Sequence, residues 1–355
     1  MTTVVHRDLE AIGGDWDELA ERLDAPPFLR PGWFAAWGSA FGGGRWEIVA
    51  LRRAGRLVAV LALRRRRGAL LSAANWHTPW FGALAEDSEA IDGLAEHLTA
   101  SAPPRLDLSF LLPADPLRER LRVHPRSSGL PQLERVIERS PFVDLSGTWE
   151  EFEAGLPSKR RADVRRRRRR LDEEGEVRIA AEEGDRELAA SLAEGFEVEA
   201  LGWKGSGGTA IASDPSTRGF YEQVAAWAAA RGWLRLWFLR LDGRPLAFAY
   251  CLVHAGVQYI LKVGFDPRFG RYAPGTLLTR EMLAGAFEAG HDRYEFLGQP
   301  DAYKLVWTDS CHEMTRLQVF SRTPAGSANR MLWEHGRPAA LRTLARVRSR
   351  ARGRG

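Results

Sequence analysis

Hydrophobic and polar residues alternate along Val257-Gln258-Tyr259-Ile260-Leu261-Lys262-Val263, the period of a β-strand with two unlike faces. From Leu277 to Ala289 the period lengthens to that of an amphipathic helix, and Gly290 marks its end. Between them lies FDPRFGRYAPGTLL, residues 265–278, a strand-to-helix turn with two glycines, a Pro-Gly step and two arginines. A second pattern recurs half a chain apart. LRRAGRLVAV at Leu51–Val60 and LRLDGRPLAF at Leu239–Phe248 share Leu, Arg, Gly, Arg and Ala in register. Each predicts a β-hairpin, turning at Ala54-Gly55 and Asp242-Gly243. An aromatic helix precedes each, PGWFAAWGSAF and RGFYEQVAAWAAARG. The repeat predicts two copies of one domain fold.

The second copy continues with the strand at Val257, the turn, a helix, and a strand at Tyr294–Leu297. The loop GQPDAYKLVW and a last strand, Arg316–Phe320, follow. The corresponding part of the first copy keeps a helix and a strand but has no Gly-rich turn between them, so one copy retains a site the other has lost. Between the copies, Ser158 is a candidate N-cap and Gly175 a stop for a basic helix, with Val164, Arg168 and Leu171 on one face. Asp172, Glu173 and Glu174 lie at the end where the helix dipole disfavours them. Either a solvated bridging helix or a face for anions or nucleic acid fits that composition.

The length of 355 residues suggests two domains, and 45% hydrophobic with 27% charged residues describes a globular chain. No apolar run approaches the ~20 residues of a membrane span; Leu57–Leu63 is a strand candidate. The start of the chain, with His6, Arg7, Asp8 and Glu10, has no signal-peptide core, and Cys251 and Cys311 cannot build a disulfide framework. A cytoplasmic location is the expectation. The net charge of +5 owes its sign to six arginines between Leu341 and Gly355; without them the remainder stands at −1. Only four of the 51 basic residues are lysine, Lys159, Lys204, Lys262 and Lys304. A lysine surviving in so arginine-rich a chain points weakly to a site where arginine does not serve.

Several chemical motifs are excluded. GSGGTA, residues 205–210, follows a helical pattern rather than the strand a dinucleotide fingerprint needs. There is no phosphate loop ending in Gly-Lys, no nucleophile elbow, and no histidine partner for His312-Glu313, so no metal is expected. The turn at 265–278 is the better signal. Gly275 and Thr276 open a helix, where free N–H groups and the positive end of the dipole favour a phosphate, and Arg268 and Arg271 add charge.

The order helix, hairpin, long strand, Gly-rich turn, helix, strand, final strand resembles GNAT N-acyltransferases. More narrowly, SKRRADVRRRRRRLDEEGEV, EALGWKGSGGTAI, FYEQVAAWAAARGWLRLWFLRLDGRPLAFAY, GFDPRFGRYAPGTLL and FLGQPDAYKLVW are similar to segments of the CelD/BcsL-type GNAT family. The resemblance covers 141–322 well and 1–140 loosely. It departs in the turn, where Arg271-Tyr272-Ala273-Pro274-Gly275 lacks one of the family's glycines. It implies an α/β protein of tandem GNAT-like acyltransferase domains, each a mixed, mostly antiparallel sheet flanked by helices. The domains would be a degenerate one at 1–140, a catalytic one at 141–322, and a basic tail at 323–355.

The resemblance also implies chemistry: attack of an amine on an acyl thioester, with acetyl-CoA or another acyl-CoA as co-substrate. The cofactor would be held by Val263 and Gly264 N–H groups at the oxyanion and by Arg268, Arg271, Tyr272, Gly275 and Thr276 at the phosphates. Glu199 or Asp301 would be the base, Tyr303 the acid, and Lys304 an oxyanion or anion contact. Trp203, Lys204 and Gln299 would meet the acceptor, a small molecule or glycan precursor. Related FemABX-like aminoacyltransferases offer an alternative donor, aminoacyl-tRNA, for which Arg165–Arg170 and the tail would supply RNA contacts. A third alternative is a non-catalytic scaffold that keeps the fold.

Overall fold

The structure, a computed structural model, describes residues 1–123, 129–183, 187–202 and 211–336. In chain order the elements are β1 (Thr2–His6), α1 (Gly13–Arg22), α2 (Pro31–Phe41), β2 (Arg45–Arg53), β3 (Arg56–Arg66), β4 (Ala69–Ser72), β5 (Leu84–Ala85), α3 (Ser88–Ala100), β6 (Arg105–Leu111), α4 (Pro116–Val123) and β7 (Gln132–Asp144). Then come α5 (Trp149–Gly155), α6 (Ser158–Asp172), β8 (Val177–Glu182), α7 (Leu188–Leu201), α8 (Pro215–Ala229), β9 (Leu234–Leu241), β10 (Arg244–His254), β11 (Val257–Phe265), α9 (Pro274–Glu288), β12 (Arg293–Glu295), β13 (Cys311–Phe320) and α10 (Pro324–Met331).

The chain divides into two compact units. One comprises Met1–Ala25, Gly43–Ile137 and the described residues from Glu313 onward; the other comprises Pro26–Gly42 and Glu138–His312. In the first unit the strands run β1-β2-β3-β4-β6-β13, with β5 beside β3, and every pairing is antiparallel except β4 with β6. In the second the order is β8-β9-β10-β11-β12-β7, again antiparallel throughout except for one pair, β11 with β12. Each unit is thus a mixed, mostly antiparallel sheet flanked by helices.

The repeated hairpins form where the sequence places them. Ala54 and Gly55 have φ of 51° and 83°, and Asp242 and Gly243 have 49° and 79°. Two successive positive φ values turn a two-residue hairpin with the native strand twist, which is why glycine ends each one. The strands beyond these turns, Leu57–Leu63 and Leu246–Leu252, are buried without interruption, as central strands covered on both faces must be.

Three elements differ from expectation. The aromatic helix α2 belongs to the second unit, although it precedes the hairpin of the first. Trp33 meets Phe220 of α8 edge-on, with centroids 5.1 Å apart, and a Cβ on Gly32 would lie 2.1 Å from the Trp227 indole nitrogen. The aromatic face of α2 therefore finds its match on the other aromatic helix. Ser158 is the first residue of α6 rather than its cap; Pro157 holds the cap position and makes no side-chain bond. After β13 the chain remains ordered as α10, capped by Thr323, and Trp333 is buried against Arg105 and Arg316.

Candidate active site

Parallel strands β11 and β12 pair over three residues, Val257–Tyr259 against Arg293–Glu295. There β12 ends. The chain turns away through Leu297 and Gly298, with φ of 53° and 64°, while β11 runs six residues further along β10. The register against β10 shifts between Tyr250↔Lys262 and Cys251↔Ile260, leaving Leu261 as an extra residue. Such a bulge bends its strand, and it sits just past the last pair with β12. From Ile260 to Phe265, β11 has no strand partner on its β12 side among the described residues. Val263 and Gly264 lie in this stretch. A Cβ on Gly264 would fall 2.4 Å from Glu199 Cα, so glycine here lets α7 rest on the strand.

The turn that follows is organised by Asp266, which is fully buried. It caps the short 3-10 turn Pro267–Tyr272 through Arg268 N, and it accepts Arg268 Nε at 2.9 Å and Arg244 at 2.8 Å. The Arg268 guanidinium holds the Asp266 carboxyl below its ordinary range. Arg271 is largely exposed, lies over the Tyr272 ring, and faces Glu174 at 3.5 Å; the Tyr272 hydroxyl donates to the same Glu174. At the start of α9, Pro274 has no N–H, and Thr276 N–H and Leu277 N–H both return to Ala273 O, at 2.9 and 3.1 Å. Thr276 is therefore not the free donor expected of it. Gly275 N–H alone is left without an acceptor among the described residues. A Cβ on Gly275 would touch Phe265 at an ordinary 3.5 Å.

Beside this helix start lies a groove of about 1270 Å³, formed by α5, α6, Ala273, Thr276 and residues 305–309. Lys159, Arg160, Arg166 and Arg167 line it, with Glu151, Asp163 and Asp309 as its carboxylates. Arg160 lies over the Trp307 ring, 5.6 Å from its centroid, and partial burial pushes its pKa down.

The remaining expected residues are dispersed. Glu199 is fully buried on α7 and accepts Ile211 N–H at 2.9 Å. Lys304 is buried in the loop after β12 and donates to Leu297 O and Gln299 O, both at 2.7 Å, with Asp301 at 3.3 Å. These three acceptors match the three donors of an ammonium, so Lys304 staples its own loop. Gln299 donates to Glu138, whose pKa burial raises. Tyr303 is 42% exposed; the protein crowded around its hydroxyl and the neighbouring Asp301 push its pKa up. Trp203 and Lys204 lie outside the described residues, as does GSGGTA.

Two charged centres escaped the sequence reading. Asp266 carried a signal, an Asp directly before Pro at a turn start. The other is Glu295, fully buried at the last β11–β12 pair. Its Oε1 is 3.0 Å from His312 Nε2, and its Oε2 has no hydrogen-bond partner among the described residues. His312 stacks on Phe142, with centroids 4.2 Å apart. Nothing in the local sequence joins residues 295 and 312; the pair exists only because β12 and β13 bring them together. Among the described residues, no group of His, Cys, Asp or Glu is arranged to hold a metal, and no helix is long and apolar enough to cross a membrane.

Residues 158–305 match the family model described as an acetyltransferase (GNAT) domain. The chain carries a GNAT acyltransferase domain. No match was found among curated proteins. Solved structures extend the likeness in fold across both units. FemX is 13% identical, covering 91% of this chain and 98% of its own, with a TM-score of 0.59. A conserved protein of unknown function from Bacteroides thetaiotaomicron is 10% identical, covering 90% and 100%, at 0.57. The C-terminal domain of a proposed lysylphosphatidylglycerol synthetase from Agrobacterium fabrum is 14% identical, covering 92% and 97%, at 0.56. The parting strands and the turn that follows them lie inside the matched GNAT domain.

Proposed function

We propose that the GNAT domain transfers an acyl group from acetyl-CoA or another acyl-CoA to an amine of a small-molecule or glycan-precursor acceptor, in the manner of the CelD/BcsL-type family, in the cytoplasm. The observation that carries this reading is the open edge of β11 beside a groove rich in arginine. An extended pantetheine arm adds to such an edge as a strand would, and the groove takes the phosphates at its end. The amine nitrogen then forms a bond to the thioester carbonyl carbon, and the carbon–sulfur bond breaks. One proton leaves the amine and one reaches the thiolate, so a single group that accepts and returns a proton completes the cycle.

Of the carboxylates in the domain, Glu295 lies nearest in register to the point where the strands part. With His312 behind it, it joins Asp301 and Tyr303 as a candidate for the proton steps. Glu199 is sealed under Gly264 and fits a structural post. Trp203, Lys204 and Gln299 belong to the acceptor side in this reading. Isothermal titration with acetyl-CoA and longer acyl-CoAs tests it: heat of binding and a raised melting temperature are expected, and silence up to millimolar ligand overturns it.

A second donor, aminoacyl-tRNA, is favoured by one observation. Arg165, Arg169 and Arg170 are exposed on α6 and have no ion-pair partner among the described residues. A thermal-shift comparison of acetyl-CoA with bulk tRNA separates the two donors.

A further inference from the structure

We infer that the phosphates of the donor are gripped by α6, through Lys159 and Arg160 in the groove, and not by the Gly-rich turn. The inference rests on the acyl-CoA reading and deepens it by assigning the anion site.

The turn has little left to offer an anion. Of the N–H groups that open α9, Pro274 lacks one and those of Thr276 and Leu277 return to Ala273 O, so only that of Gly275 remains. Its two arginines are matched by acids: Arg268 makes 2.7–3.1 Å contacts with Asp266, and Arg271 pairs with Glu174. A turn with one spare backbone donor, and with Arg268, Arg244 and Arg271 already paired to Asp266 and Glu174, is a weak cradle for a pyrophosphate.

The groove differs on each count. Its volume of about 1270 Å³ exceeds the roughly 300–1,000 Å³ of pockets that hold drug-sized ligands. Of its three carboxylates, Glu151 is committed to a capping box with Thr148, Asp163 is shared by Arg166 and Arg167, and Asp309 makes no salt bridge among the described residues. Neither Lys159 nor Arg160 makes a salt bridge among the described residues; Asp163 acts on Arg160 only through space, and Arg160 Nε is buried without an acceptor. A cation held partly out of water over Trp307 gains more from an incoming phosphate than a solvated one. Arg167 also donates to Arg271 O at 3.1 Å, which ties α6 to the turn and sets the basic face beside the start of α9.

The test compares the parent with the Lys159→Ala/Arg160→Ala double variant, Arg160→Lys and Arg271→Ala. Each is titrated with coenzyme A, and each melting temperature is recorded. The double variant is expected to weaken coenzyme A binding by about ten- to a hundred-fold and to flatten its salt dependence. Arg160→Lys should recover part of the affinity, and Arg271→Ala should change it less than about three-fold, as an exposed, already paired cation would. Parent-like affinity in the double variant, or a large loss in Arg271→Ala alone, overturns the inference while leaving the acyl-CoA reading standing. If the double variant melts far below the parent, Arg160→Lys and Arg271→Ala decide by their relative affinities. No binding of coenzyme A by the parent overturns both, and a titration with single-stranded RNA then shows whether the groove serves nucleic acid instead.

Discussion

The two units share strand order and strand direction, yet only the second keeps its parallel strands apart. In the second, β11 is nine residues long and bulges at Leu261 as it leaves β12. In the first, β4 stops after four residues, and the chain returns through residues 73–83. Phe81 N–H then bonds Phe110 O at 2.9 Å, and Trp80 and Phe81 are buried. A loop thus fills the place that the second unit leaves open. The helix starts diverge as well. Helix α3 is capped by the Asp87 carboxylate, which accepts Ala90 N–H, and has Glu89 in its first turn; α9 has no side-chain cap and no acid there. A carboxylate at a helix N-terminus occupies the donors and dipole that a phosphate would use. One topology thus carries an open strand edge in one unit and a filled one in the other, and the difference lies in one strand's length, one bulge and one returning loop.

Lys304 offers the largest test of that contrast. If it staples the loop after β12, Lys304→Met leaves two buried carbonyls and Asp301 without their cation. We expect a loss of about 3–5 kcal/mol in stability, seen as a lowered melting temperature and denaturant midpoint. Lost turnover with an unchanged melting temperature would return Lys304 to the chemistry.

In the first unit the corresponding test is Asp115, 8% exposed behind the loop. A Cβ on Gly82 would lie 2.5 Å from its Oδ2. Burial raises its pKa from 3.8 to about 6, so the folded state holds this proton longer than the unfolded one. Stability from this group is full below about pH 4 and is lost as pH rises through about 6. Asp115→Asn keeps the bond from Arg118 N–H and removes the charge. It should be more stable than the parent by about 2–3 kcal/mol above pH 7 and equal at pH 4; urea midpoints at the two pH values check the sign.

Gly275 is the smallest test. Its φ is not positive and an added Cβ would make only an ordinary 3.5 Å contact with Phe265, so Gly275→Ala should change stability by less than about 1 kcal/mol and leave coenzyme A affinity within about three-fold. A collapse of binding would restore the turn as the phosphate cradle.

Much of this was legible in the sequence, for a local reason. Hairpins with positive φ at Ala54-Gly55 and Asp242-Gly243 announce themselves in two residues, and β11 and α9 each carry their period within a dozen. What was not legible is what distant pieces do to each other. The aromatic face of α2 shows that it must be covered, but not that α8 covers it. Thr276 lost its free N–H to a left-handed Ala273, φ 50°, a conformation that sterics disfavour for alanine and that here has no glycine beside it in a two-residue hairpin to announce it. Glu295 and His312 meet only after two strands are placed. Of the four lysines, Lys159 lines the groove, Lys262 flanks the bulge, Lys304 holds the closing loop and Lys204 lies outside the described residues.

The sixth strand of the first sheet has a consequence in time. That strand is β13, and its Arg316 bonds Asp107 of β6 across a separation of 209 residues. A ribosome adding ~5–20 residues per second needs about 10–40 s to cover that distance. Through that interval the nascent first sheet carries β6 as a bare, hydrogen-bonding margin. The second sheet has no such wait for its own sixth strand, because β7 is translated before the rest of it. The unit that begins the chain is thus the last to be finished, and the half that carries the GNAT domain can close while its neighbour is still incomplete.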